Sequence, residues 1–202
     1  MFAPRTSLTH PLRIAEVAWP GSTGRLGLTF CPGKHQTDAQ TGSWERDLEL
    51  DLDAVQTWGA QALVTLNEAH ELVEMQVPEL GARTQARGIA WIHLPIPDMG
   101  LPDAGWEARW LSVGPRLHAT LGQGGRVVVH CKGGLGRTGT VAARLLVEAG
   151  IPPEEAIAAV RAVRPGAIET RAQEAHVRSS RRLAEPPAIE TPATHPAAGV
   201  LT

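Results

Sequence analysis

The chain has 202 residues, is 43% hydrophobic, and balances 19 basic against 21 acidic residues for a formal charge of −2. That is enough apolar material for one domain with a sizeable core, and a balanced charge without a long basic run argues against nucleic acid as a partner. Two cysteines, Cys31 and Cys131, are too few for a disulfide framework, and no stretch resembles a membrane span or the apolar region of a signal peptide.

In chain order, Arg25 to Phe30 reads as a strand, Asp47 to Trp58 as a helix ended by Gly59, and Ala62 to Leu66 as a buried strand. Two short helices, Glu68 to Met75 and Pro78 to Arg87, lead into a strand from Ile89 to Leu94. The segment WIHLPIPDMGLPDAGW (91–106) then leaves that strand for a Pro- and Gly-rich loop carrying Asp98 and Asp103. A long helix follows from Trp106 to Leu121, with Asp103 placed to cap it. Val127, Val128 and Val129 form a β-branched run typical of a strand buried on both faces. From Thr138 onward, Val141 and Leu145 with Ala142 and Leu146 show helical spacing, and Gly150, Pro152 and Pro153 supply the stop. Ala156, Ile157, Val160 and Val163 make the apolar stripe of a penultimate helix, and a last helix runs to near Glu185. This alternation predicts an α/β fold with a central, mostly parallel sheet of four to five strands flanked by helices. Residues 1–185 read as a single domain, and the Pro/Ala-rich residues 186–202 as a flexible tail.

The chemistry concentrates in RVVVHCKGGLGRTGT (126–140), where a cysteine, a glycine-rich loop and an arginine lie between a strand and a helix start. Gly133, Gly134 and Gly136 permit positive φ, so successive N–H groups of Lys132, Gly133, Gly134, Leu135 and Gly136 can face one anion at the helix N-terminus. Arg137 adds a planar fork suited to two phosphate oxygens. Cys131 lies at the bottom of that cradle, where a helix N-terminus and a cation favour the nucleophilic thiolate. Thr138 fits either of two roles, donating to the thiolate or serving the helix start. His130 is read chiefly as a buried, hydrogen-bonded support for the loop, and Lys132 chiefly as a solvated lysine.

These residues resemble the signature of the cysteine-dependent protein tyrosine phosphatase superfamily, His-Cys-(five residues)-Arg-Ser/Thr-Gly, met by His130, Cys131, Arg137, Thr138 and Gly139. Within it the chain resembles the dual-specificity branch, above all the cyclin-dependent-kinase-associated phosphatase group, through CPG (31–33), PIPDMGLPD (95–103) and GGLGR (133–137). The resemblance implies phosphomonoester hydrolysis through a cysteinyl-phosphate intermediate, without metal or organic cofactor. It also implies Asp98 as the general acid that protonates the leaving oxygen. By the same resemblance, Gln173, in AIETRAQ, orients the water that hydrolyses the intermediate while Asp98 acts in reverse as base; read by itself, Gln173 fits a solvent-exposed helix glutamine equally well. Family members often read Ile-Gln-Thr where this chain has Ile168, Glu169 and Thr170, so the first of two possible glutamines is absent.

Gly134, Gly136 and Gly139 also satisfy G-x-G-x-x-G, but too little chain follows for the rest of a dinucleotide-binding sheet, and a Walker loop lacks its Gly-Lys-Ser/Thr. Cys31 reads as a buried structural thiol. Lys34 and His35 on a loop, and Arg161 and Arg164 at a helix end, read as solvated. With no tyrosine and two phenylalanines, an aromatic wall for phosphotyrosine would need a tryptophan. The expected partner is a phosphorylated protein or another phosphomonoester in the cytoplasm, and neither nucleic acid nor membrane is expected. The alternative function is a phosphate-recognition module that binds phosphorylated partners without turnover.

Overall fold

The computed structural model describes residues 3–37, 39 and 42–182. The expected tail, 186–202, lies outside the described residues, as do residues 183–185. In chain order the elements are β1 (Ala15–Ala18), β2 (Arg25–Phe30), β3 (His35–Gln36), β4 (Trp44–Glu45), α1 (Leu48–Thr57), β5 (Ala62–Thr65), α2 (Ala69–Glu74) and α3 (Leu80–Ala86). There follow β6 (Ala90–His93), α4 (Ala104–Gly122), β7 (Arg126–Cys131), α5 (Gly136–Glu148), α6 (Pro153–Val163) and α7 (Arg171–Ser179).

β7 is the middle of a five-stranded sheet in the order β1-β2-β7-β5-β6, parallel except for β1, as the valine run predicts. Its side chains alternate between two apolar layers. Val127 and Val129 join the core under α4, α5, α6 and α7, while Val128 joins the second core under α1, α2 and α3. All three valines are fully buried, each stabilising by roughly 1.5–3 kcal/mol. The catalytic-loop strand is thus clamped on both faces and both edges, and whatever follows its C-terminal end starts from a fixed point.

Three elements were not legible in the sequence. β1 is an edge strand with one buried side chain, Val17, so its period-2 pattern is barely visible. β3 and β4 form a two-residue ladder near the sheet's C-terminal end, too short for any periodicity. Boundaries also shift. α5 opens at Gly136, two residues before the expected Thr138, and the last helix stops at Ser179, where Ser180 turns to extended backbone.

Candidate active site

Cys131 ends β7, 3% exposed, with Phe30 of β2 as its register partner. Beyond it, the carbonyls of four successive loop residues are taken by protein donors. Lys132 O accepts from Cys31 N and Lys34 Nζ at 3.5 and 3.2 Å, and Gly133 O and Gly134 O accept from the Arg164 guanidinium at 3.0 and 3.1 Å. Leu135 O accepts from Gly139 N at 2.7 Å and Ile168 N at 3.4 Å. In a planar trans peptide the N–H points opposite to the C=O, so fixing these carbonyls turns the next four N–H groups the other way, toward the cleft. Gly134 adopts φ +69, and a Cβ there would lie 2.3 Å from Thr29 O, so the turn requires glycine. The expected positive φ at Gly133 and Gly136 is not found. At Gly136 a Cβ would lie 2.4 Å from Glu169 Oε2, so a larger residue there would push that carboxylate aside.

Arg137, in the first turn of α5, is 2% exposed. Its Nη1 and Nη2 donate to the two carboxylate oxygens of Glu71 at 2.6 and 2.8 Å, and Nη1 also donates to Ile96 O at 2.9 Å. Glu71, on α2, is itself buried. Burial pushes its carboxyl up, but the Arg137 bonds, the Glu68 amide and Asn67 outweigh burial and hold it below the usual carboxylate range. The guanidinium plane is therefore set before any ligand arrives. Asp98 comes from the β6–α4 loop, its side chain 60% exposed, and places Oδ1 2.9 Å from Arg137 Nη2. Asp103 is the α4 N-cap, accepting from Trp106 N at 2.7 Å, as expected.

Gln173 is fully buried, not a solvent-facing helix glutamine. It forms a capping box with Thr170 and donates from Nε2 to Gly100 O of the acid loop at 3.4 Å. His130 is fully buried and bonds Thr65 Oγ1 at 2.8 Å, and burial pushes its imidazole down to about 3. Thr138 does not cap α5: the N-cap is Leu135, and the Thr138 hydroxyl is buried with no partner among the described residues. Cys31 is fully buried, its thiol pushed up by burial, which fits a structural thiol.

Cys131, Arg137, Asp98, Gln173, Glu169, Lys132, Gly133 and Leu135 line one open cleft of about 520 Å³. Two expectations about its walls are corrected. Lys34 is buried rather than solvated, with Nζ over the rings of Phe30 and Trp44 at 5.3 and 5.0 Å, and burial pushes it down to about 8. Arg164 holds the loop carbonyls, and Arg161 holds Ala167 O and Ile168 O before α7. A second cavity of about 310 Å³ adjoins the first through Gln36, Trp44 and Lys132.

The strand thus delivers a cysteine into an amide-lined cradle closed by a clamped arginine. Residues 42–177 match the family model described as "PTP-SAK: Swiss Army Knife protein, DSP-PTPase phosphatase domain". The chain belongs to this phosphatase-domain family. Within the dual-specificity branch, the chain is 34% identical over 148 residues to the human protein named cyclin-dependent kinase inhibitor 3, and 36% over 150 residues to its rat counterpart. Each match covers 72% of this chain and 66% of the relative. Among solved structures, kinase-associated phosphatase with its catalytic-site cysteine changed to serine aligns at TM-score 0.73 and 30% identity, over 83% of this chain and 92% of that one. The active form of Tk-PTP aligns at TM-score 0.59 and 31% identity, over 79% and 95%. This phosphatase fold carries two groups that local sequence reading did not single out as site residues. Glu71 offered no local signal, because its partner is distant in the chain. Trp44 belongs to a strand without periodicity.

Proposed function

We propose that this protein hydrolyses phosphomonoesters through a cysteinyl-phosphate intermediate, without metal or organic cofactor. The observation that carries the reading is the pre-set Arg137, held by Glu71 beside Cys131, with Asp98 Oδ1 2.9 Å from its Nη2. Cys131 attacks phosphorus while the loop amides of Lys132 to Gly136 and Arg137 hold the equatorial oxygens, where fixed donors stabilise developing charge. Asp98 protonates the leaving oxygen. The unpartnered Thr138 hydroxyl is available to the sulfur as it is released. Gln173 serves the second step, in which water displaces the thiolate. The substrate is a phosphorylated protein: the cleft is open, and the adjoining cavity offers room for residues flanking the phosphorylated one. A catalytic thiolate also needs a reducing compartment, which supports the cytoplasm. Residues 1–185 act as a single domain on this reading.

The test is turnover of p-nitrophenyl phosphate in EDTA and reductant, beside phosphopeptide and phosphoinositide panels. Wild type should be active, Cys131→Ser inactive though folded, and Asp98→Ala slowed about 10²–10⁴-fold. Normal activity in both variants would sink the mechanism. A folded, inactive wild type that binds phosphopeptides would establish the recognition-module reading instead.

A further inference from the structure

The turn between α6 and α7 brings a second carboxylate to the cleft. Glu169 Oε2 accepts from Gly136 N at 2.7 Å, one of the cradle's own amides, while Glu169 Oε1 has no partner among the described residues. The turn that aims it is strained. Ile168, immediately before, has φ 60, a left-handed conformation that a β-branched side chain rarely adopts. It persists because the surroundings fix it: Ile168 is 2% exposed, its N–H donates to Leu135 O, and its carbonyl accepts from Arg161 Nη2 at 2.9 Å. Strain of this kind clusters where a side chain must be held in a working position.

The hydrogen-bond inventory of Gln173 points the same way. Its Oε1 accepts from both Glu169 N and Thr170 N, at 2.9 and 3.2 Å, and its Nε2 donates to Gly100 O. A carbonyl oxygen offers two lone pairs, and both are in use. Gln173 therefore has no acceptor left for the proton of an attacking water.

We infer that Glu169 is the general base for hydrolysis of the cysteinyl phosphate, and that Gln173 acts on that step by positioning Glu169. This rests on the phosphatase reading above. When a substrate phosphoryl group takes the Gly136 amide, the Glu169 carboxylate is released beside it. Water then attacks phosphorus and gives one proton to Glu169, the P–S bond breaks with its electron pair going to Cys131, and inorganic phosphate leaves. Asp98 keeps the first step, as proton donor to the leaving group, and Glu169 takes over the base role that the family resemblance assigns to Asp98. Acid and base are thus two residues from two different turns.

The experiment is rapid-quench kinetics on the full chain with p-nitrophenyl phosphate, with intact-mass detection of the phosphoenzyme. Glu169→Gln keeps an oxygen for the Gly136 amide but cannot take a proton. It should show a stoichiometric burst of p-nitrophenol followed by steady turnover slowed roughly 10²-fold, with a phosphoryl group accumulated on Cys131. Asp98→Asn should instead slow the burst itself. Glu169→Ala should do the same as Glu169→Gln, and formate should restore part of its turnover by supplying a carboxylate. Release of phosphate from the Glu169→Gln phosphoenzyme at the wild-type rate, or slowing confined to the burst, overturns the assignment while leaving the phosphatase reading intact. A wild type that forms no phosphoenzyme, with Cys131→Ser equally active, overturns both.

Discussion

Two buried arginine–carboxylate pairs in this molecule share a bidentate grip and differ in what they face. Arg46 meets Asp51 through Nε and Nη2, both at 2.7 Å, and Nη1 donates to His10 O. Asp51 is filled further by Ser7 Oγ and Gly33 N, each at 2.8 Å. Every group faces inward, and the guanidinium lies over the rings of Phe30 and Trp44. Arg137 meets Glu71 through its two Nη atoms instead, and its Nε has no partner among the described residues. The second fork is gripped from behind, meets Asp98 Oδ1 at 2.9 Å through Nη2, and lines the open cleft, which Arg46 does not. A buried ion pair is therefore a poor guide to function by its distance alone, and an edge turned to an open cleft marks the working one.

The largest effect should come from Arg137→Lys, which removes the fork on both sides. We expect kcat/KM to fall about 10³-fold, consistent with losing fixed transition-state donors, in a protein that still folds. Retained activity would erase the distinction between the pairs. Asp51→Asn should do the reverse. Breaking a saturated buried pair typically costs about 3–5 kcal/mol, so urea unfolding should shift strongly while activity per folded molecule stays near wild type.

Glu71→Gln sits between these extremes, keeping one acceptor for Arg137 but losing the charge. An activity loss on the order of tenfold is expected, together with a change in acid stability. The folded-state value of Glu71 is depressed, so its contribution is present above the unfolded carboxylate range near 4.5 and is lost as pH falls through the lower folded value. Unfolding curves for Glu71→Gln should therefore be flatter than wild type below about pH 4.5. An unchanged slope would place the cause elsewhere.

His130 tests the support under the same loop. Its folded-state value of about 3 lies under the ordinary 6.5, so its stabilisation is complete above 6.5 and drains as pH falls toward 3. His130→Gln should lose less stability than wild type between about pH 6.5 and pH 5, with no change in the pH profile of turnover. The smallest effect belongs to Gly133→Ala, where an added Cβ meets nothing within 4 Å. A shift inside about 0.5 kcal/mol is expected. Gly134→Ala, which would drive a Cβ into Thr29 O, should be far worse in the same assay.

Much of the catalytic loop was legible because it is local. A valine strand, a glycine turn and a helix start follow one another within fifteen residues of sequence, 126–140, and Asp98 and Asp103 sit in a loop whose turn residues announce it. What escaped depends on contacts between distant segments. Nothing near Glu71 predicts Arg137, and Lys34 looks solvated until Phe30, Trp44 and Lys132 close around it. The early start of α5 has the same origin, since Gly136 N finds its acceptor in Glu169 from another turn. Gln173 resembles any helix glutamine until the capping box and Gly100 turn its amide into a bridge.

Arg164 bears on how this protein would hold an anion in salty solution. By drawing on the carbonyls of Gly133 and Gly134, it polarises the peptide units whose opposite ends face the cleft, since hydrogen bonds in series strengthen one another. Amide dipoles act at contact range, where dissolved ions screen little, whereas attraction between exposed charges fades beyond a Debye length of about 8 Å at physiological strength. Much of the grip on phosphate is thereby moved from mobile charge to fixed backbone, and binding should weaken only gently as salt is raised.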